Sequence, residues 1–494
     1  MSARDQKGYD DVYDRNSSTA YVGKTELERF KGSSPSDMIT GMLGVYSADG
    51  RNSGGLDPNI RGVQGPGRVP VTIDGTEQAI TIYRGYNGAN NRSYIDPNLI
   101  GSIQAIKGPS LEKNVHTGTG GAIVANTLSV DDIVKPGKTV GGEIKVEGSN
   151  NAVSVNEPSL STGQSYLDIP GFGTSTNPYD PTLQTTPRSG GQNSFNDYAY
   201  RLAVGTRQDY IDVVGAYAYR KKGNHFSGKN NSGFYSRGSD DLQNNMIPDL
   251  ANIYEPGDEI PNTSSEMESY LTKVKLKFDK NHNLEFGYRD SSTIYGEIMP
   301  SRIPWEEAAD GSVPQWPLSK VDSKAYNLEY NLNPENNDLL NLHANIWKTD
   351  TVSNTYTSGG YPNDPYDWDE SGDTTLRNTA VRNANESRKG ITLSNTFALR
   401  DNLDLTLGGR YQHETLSSDD EYGDPEITGT FRALPQAGRR EETEFDFNFN
   451  WRPTNALTID AGMRYQSFWS FDDLRQSRID AGDSSFNDYA NIVG

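Results

Sequence analysis

The chain is 494 residues long, with 50 glycines, no cysteine and a formal charge of −21. That length exceeds the usual single-domain range of about 50–250 residues. The missing cysteines exclude disulfides and thiolate metal sites, and the acidic balance argues against a nucleic-acid partner. No run of about 18 apolar residues exists, so no transmembrane helix is expected. The mean hydropathy of −0.76 still admits strands that show only alternate residues to lipid.

The N-terminal Met-Ser-Ala-Arg-Asp-Gln-Lys has no apolar signal core, and residues 1–19 read as an extension. Residues 20–134 read as a small α+β domain. Ser34 caps a helix, with Pro35 at its first position and Asp37 in its first turn. Met38, Ile39, Met42 and Leu43 make an apolar stripe that Gly44 stops. Residues 69–73 predict a strand, and Asp74-Gly75 a hairpin turn into 79–83. Asp96 and Pro97 start a helical turn, 102–107 is a strand, and Gly108-Pro109 ends it. The glycines at 118–121 lead into the strand-like Ala-Ile-Val-Ala, so they lack the helix that a phosphate-binding glycine loop requires.

Residues 135–494 follow another rule. Eleven alternating stretches run from about 140 to 470, and the gaps between them alternate short and long. Short gaps include 208–209, 279–281, 400–402 and 453–455; long ones run near 150–195, 223–266, 295–321, 354–385 and 416–440. An outer-membrane barrel has short periplasmic turns and long extracellular loops. In Leu403-Asp404-Leu405-Thr406-Leu407-Gly408 and Phe445-Asp446-Phe447-Asn448-Phe449-Asn450-Trp451, period two puts apolar residues on one face and polar residues on the other. The fold class is therefore mainly β: a transmembrane antiparallel β-barrel behind an α+β domain. The 28 tyrosines and 15 phenylalanines suit interfacial girdles, and the acidic runs 364–373 and 419–424 fall in long loops. Eleven is odd and bacterial single-chain barrels are even, so more strands are expected beyond the chain, with about half the barrel present.

Five blocks of the small domain carry a resemblance. They are Ser-Asp-Met-Ile-Thr-Gly-Met-Leu-Gly-Val (36–45), Pro-Asn-Ile-Arg-Gly-Val (58–63), Val-Pro-Val-Thr-Ile-Asp-Gly (69–75), Ile-Gly-Ser-Ile-Gln-Ala-Ile-Lys-Gly-Pro-Ser (100–110) and Gly-Thr-Gly-Gly-Ala-Ile-Val-Ala-Asn-Thr (118–127). In this order they resemble the plug domain of TonB-dependent outer-membrane receptors. The resemblance implies a plug inside the barrel and a ligand bound between extracellular loops and apical plug loops. It implies two further partners: TonB of the inner-membrane energising complex, and outer-membrane lipid. No TonB box is evident before Gly8. A plug filling a polar lumen needs charged faces. Arg61, Arg68, Arg84, Arg92, Glu77, Asp74 and Lys107 supply them, with Glu285, Glu329 and Asp446 of the barrel as partners for the arginines.

Residues 68–78 and 83–97 resemble the haem and haemophore receptor branch, which implies haem, free or carried by a protein, as the transported ligand. That branch holds haem through one His on the plug and one on a loop, and a neutral imidazole ligates iron well. Tyr83, Tyr86, Arg92, Tyr94, His116 and His225 are the ligand-binding candidates. His413 lies near the top of the ninth stretch, His343 has lumen parity and His282 falls in a short turn. The branch's Phe-Arg-Ala-Pro box is absent; residues 431–435 resemble it in letters but precede the tenth stretch. Asp367, Asp369, Ser371 and Gly372 match the first half of a calcium loop, although position twelve is Asn378 rather than Glu. No His-Glu-x-x-His or Gly-x-Ser-x-Gly is present, and the reading is non-enzymatic. A ferric-siderophore receptor is the alternative within transport. A surface adhesin or soluble β-rich binding protein is the alternative of another class.

Overall fold

The computed structural model describes residues 3–15, 17–47, 50, 54–78, 82–83, 89–153, 182–183, 185–186, 195–229, 256–297, 313–314, 318–359, 379–417 and 437–482. Helix α1 (Ala3–Asp14) lies against strand β1 (Thr19–Gly23), with Tyr9 packed edge-on to Tyr21. Arg4 Nη2 reaches Asp132 Oδ1 at 2.8 Å, which ties the start of the chain to the small domain.

That domain is built on a four-stranded sheet in the order β1-β3-β4-β2, where β2 is Val71–Ile73, β3 is Ile100–Lys107 and β4 is Gly121–Thr127. Helix α2 (Lys24–Phe30) and a 3-10 turn at Pro35–Ile39 cover it. Leu27, Met38, Ile39 and Met42 are buried against Ile73, Ile103 and Ile123. Each large aliphatic side chain so buried contributes about 1.5–3 kcal/mol. The Asp37 carboxylate accepts from the Ser34 amide at 3.0 Å, as the capping pattern implies.

Two expectations need correction. The helix after Ser34 is a single 3-10 turn, and Leu43 is 86% exposed. Gly41 (φ 86°) and Gly44 (φ 75°) swing the chain through the left-handed region, which takes Leu43 off the apolar face. Asp74 (φ 49°) and Gly75 (φ 71°) do form a tight turn closed by the Ile73 amide and the Thr76 carbonyl. However, β2 pairs in parallel with β4, while residues 82–83 pair with 89–90. The Asp74 carboxylate accepts from the Thr127 amide and hydroxyl, and these two bonds hold the turn to β4.

The second part is an eleven-stranded antiparallel sheet in which sequence neighbours pair throughout. Its strands are β5 (Val140–Ser149), β6 (Asp197–Arg207), β7 (Ile211–Lys222), β8 (Ser265–Asp279), β9 (His282–Tyr295), β10 (Ser319–Leu332), β11 (Leu342–Gly359), β12 (Thr379–Arg400), β13 (Leu403–Ser417), β14 (Ala437–Thr454) and β15 (Leu457–Asp472). This is the number of strands read from the pattern. Strands β11, β12 and β14 are longer than expected, at 18, 22 and 18 residues. Spanning lipid takes about 9–11, so these strands project past the membrane on the long-loop side. The alternation works as the pattern implies. Ile144, Leu202, Val204, Phe286, Ile346, Leu407 and Phe445 are exposed on the outer face. Tyr200, Tyr217 and Tyr270 touch toward the long-loop end, and Tyr288 and Tyr326 touch midway along β9 and β10. Arg201, Lys273, Arg289, Ser323, Thr349 and Arg388 are buried on the inner face, against the small domain. Small residues permit that approach: Ala203, Ala216 and Ala218 pack on Leu99, Leu128 and Ile133.

Candidate functional site

The small domain meets the wall of strands along a seam of buried ion pairs. Asp74 stands at one point of it. Lys273 Nζ on β8 lies 2.9 Å from its Oδ1, and Arg289 Nη1 on β9 lies 3.1 Å from its Oδ2. Arg289 also donates to the Ile73 carbonyl at 2.8 Å and to the Thr76 hydroxyl at 2.7 Å. Burial works against the charge on Asp74, but Lys273, Arg289 and the two Thr127 donors outweigh it and hold the carboxyl down to about 2.

Glu77 makes the second point. Its Oε2 lies 2.8 Å from Arg388 Nη1 on β12, and Oε1 accepts from Arg410 on β13. His116 Nδ1 stands 2.7 Å from Oε1. An ionised carboxylate only accepts, so Nδ1 carries the proton. Against the opposing effect of burial, Arg410, His116 and Arg388 hold Glu77 well below the usual carboxylate range. Arg388 also pairs with Glu414, and the Arg410 guanidinium stands 5.8 Å from the centre of the Trp347 ring. Trp347 is 2% exposed, and its seat depends on Gly390, where a Cβ would stand 2.6 Å from the ring.

Further contacts close the seam. Arg220 on β7 reaches Asp96 at 3.3 Å and Glu147 at 2.9 Å. Arg201 on β6 donates to the Asn98 carbonyl at 2.8 Å and pairs with Glu28 at 2.9 Å. Lys113 reaches Asn341 Oδ1 at 2.9 Å, and Arg464 on β15 donates to the Thr117 carbonyl at 3.2 Å.

The polarity of this seam reverses the expected one. At these points the small domain supplies carboxylates and the wall supplies cations. Glu285 and Glu329 pair within the wall, with Lys275 at 2.9 Å and His343 at 3.4 Å, and Gly408 makes room for Asp446 beside it. Arg92 and Lys24 follow the expected sense: both terminal nitrogens of Arg92 bond Glu297, each at 2.9 Å, and Lys24 Nζ lies 2.8 Å from Glu143 Oε2 on β5. The missed cations had a signal in the sequence, since each stands at lumen parity in its strand.

The candidate ligand residues divide. Arg92 and Tyr94 are 0% and 1% exposed, and Tyr94 stacks on Tyr295 at the long-loop end of β9, with ring centroids 5.3 Å apart. Both are therefore buried contacts and not part of an open surface. Tyr83 lies in the short pairing of 82–83 with 89–90, and Tyr86 lies outside the described residues. His116 is buried between Glu77 and Glu444, the latter 3.9 Å from its Nε2. His225 is half-buried beyond the long-loop end of β7, paired with Ala152, and its amide donates to the Thr263 hydroxyl. The structure therefore does not bring the two histidines together. Arg84, the calcium-loop match at Asp367, Asp369 and Ser371, the acidic runs 364–373 and 419–424, and the 431–435 segment lie outside the described residues.

Comparison with known proteins agrees with this architecture. Residues 11–122 match the family model described as the TonB-dependent receptor plug domain. The chain is 52% identical over 488 residues to a hemophilin receptor of Acinetobacter baumannii, covering 97% of this chain and 46% of that protein. Its fold is similar to that of the Serratia marcescens hemophore receptor HasR, solved in complex with its hemophore HasA and heme, with a TM-score of 0.63 and 20% identity over 93% of this chain and 53% of that one. It is also similar to the FrpB iron transporter of Neisseria meningitidis, with a TM-score of 0.60 and 14% identity over 92% and 59%. The chain thus spans about half the length of the receptors it matches. With a plug domain seated by ion pairs against an antiparallel wall that is apolar outside and polar within, the chain belongs to the TonB-dependent receptors of the outer membrane.

Proposed function

We propose that this chain serves TonB-dependent uptake of haem, delivered free or by a haem-carrying protein, across the outer membrane. The observation that carries the reading is the 52% identity, along almost the whole chain, to a protein named as a hemophilin receptor. The buried, ion-paired seam supports a transport role. A polar seam lets water replace each contact when a plug is displaced, which an apolar core would resist. TonB is the partner that supplies the force, and residues 20–134 are the unit on which it acts. His225, Tyr83 and Tyr86 are the residues we assign to the outer binding surface, because the first stands beyond the long-loop end of β7 and the tyrosines fall in the 83–94 stretch that the sequence assigns to the plug's apex. Calcium at Asp367, Asp369 and Ser371 would stiffen an acidic loop on the same side.

The test is a titration of the receptor in detergent with haemin, followed in the Soret region and repeated with His225→Ala. A saturable, shifted Soret band is expected, with a weaker or displaced band in the variant. No saturable shift with free haemin or with a haem-loaded carrier would move the cargo to a ferric siderophore.

A further inference from the structure

Lys273 and Arg289 stand on adjacent strands of the wall, and among the described residues Asp74 is the only carboxylate within ion-pair distance of either. Each cation takes one oxygen of that carboxylate, at 2.9 and 3.1 Å. Arg410 likewise has Glu77 as its only carboxylate among the described residues, with Gln412 at 2.8 Å as a neutral neighbour. Arg388 shares Glu77, and the Trp347 ring lies beside Arg410. A wall built merely to anchor a plug could satisfy its own cations, as Glu147 does for Arg220. Here displacement of the plug leaves the Lys273–Arg289 pair uncompensated and Arg410 without a counter-charge. Water can solvate these cations once the plug moves, but adjacent cations without a counter-charge still attract a carboxylate that enters the lumen.

We propose that Lys273 with Arg289, and Arg388 with Arg410 beside Trp347, form two carboxylate-binding sites on the lumen wall. The plug's Asp74 and Glu77 hold them in the closed state, and the carboxylates of a flat, anionic cargo take them over during passage. The proposal rests on the haem-uptake reading, because haem is planar and carries two propionates. Guanidinium and ammonium groups bind carboxylates by charge-assisted hydrogen bonds, and the indole face beside Arg410 suits a flat ring.

The test measures uptake by cells carrying the receptor, with haemin and haemin dimethyl ester as probes. Surface binding of each probe is measured separately in the cold. Three variants are compared: Asp74→Asn, Lys273→Gln/Arg289→Gln, and the triple change, which neutralises this point of the seam and leaves no charge unpaired there. Wild type is expected to take up haemin faster than the ester. Lys273→Gln/Arg289→Gln and the triple variant are expected to lose about tenfold in haemin uptake at unchanged surface binding. Both should lose the preference over the ester, whereas Asp74→Asn should raise haemin uptake. If Asp74→Asn and Lys273→Gln/Arg289→Gln behave alike, or the triple variant keeps the preference for haemin, the cations serve only to seat the plug and the proposal is wrong. Absence of haemin binding at the surface of wild type would instead overturn the haem reading, and these cargo sites with it.

Discussion

Glu77 is the residue on which the seam converges. Without its carboxylate Arg388 keeps Glu414, but Arg410 loses its only ionic partner among the described residues. Glu77→Gln is therefore expected to destabilise the seated plug by roughly 3–5 kcal/mol, the range for breaking one partner out of a buried pair. The urea midpoint of plug unfolding would report this, and an unchanged midpoint would show that Arg410 finds another acceptor. The carboxyls of Asp74 and Glu77 both lie below their ordinary values in the folded protein. A depressed acid stabilises the fold fully above its unfolded pKa of about 4 and loses that contribution as pH falls through its folded value. The same midpoint should stay flat from pH 7 to about 4 and fall as the pH approaches 2. A seam that loosened on raising the pH through that window would contradict these assignments. Gly121 sets a backbone requirement: φ is 118°, and a Cβ there would meet the Ile106 carbonyl. Gly121→Ala is expected to cost roughly 1–3 kcal/mol.

At the scale of the element, each wall strand has two solvents. Leu407 on β13 faces outward and is 44% exposed, whereas Arg410 on the same strand reaches Glu77 inside. An arginine at Leu407 must place its charge in hydrocarbon. Leu407→Arg is expected to cost roughly 2–4 kcal/mol in folding into bilayers. At Thr406, where the hydroxyl lies 3.0 Å from that of Thr396 on the lumen side, the same change should cost much less. Equal costs would mean that the two faces are not distinguished by lipid. Period two made both faces of β13 legible in the sequence. It did not give the reach of β11 and β12 past the membrane, because alternation weakens where both faces meet water.

For the whole molecule, plug and wall are coupled by contacts distributed around the sheet, from Arg201 on β6 to Arg464 on β15. No single element carries the coupling. Among the described residues β5 pairs only with β6, and β15 only with β14. An unpaired strand edge in hydrocarbon leaves backbone groups unsatisfied at several kcal/mol each. The 494-residue chain expressed alone is therefore expected to associate through these edges in detergent. Light scattering that showed a stable monomer would refute that expectation.

The sequence by itself determined the strand count, the loop rhythm, the plug's order of blocks and the capped turn at Ser34. Each is written in local chemistry: period two, turn residues, caps and glycines. Only the tertiary structure decided which charges meet. Asp74 and Lys273 are far apart in the chain, and parity says that both face the lumen without saying at what height or around which part of the wall. The direction of the pairing, with acids on the plug and bases on the wall, followed from strand register and from the depth at which the plug is seated. The same geometry buried Arg92, Tyr94 and His116, because a side chain that is polar in the sequence becomes a seam contact once two surfaces close over it.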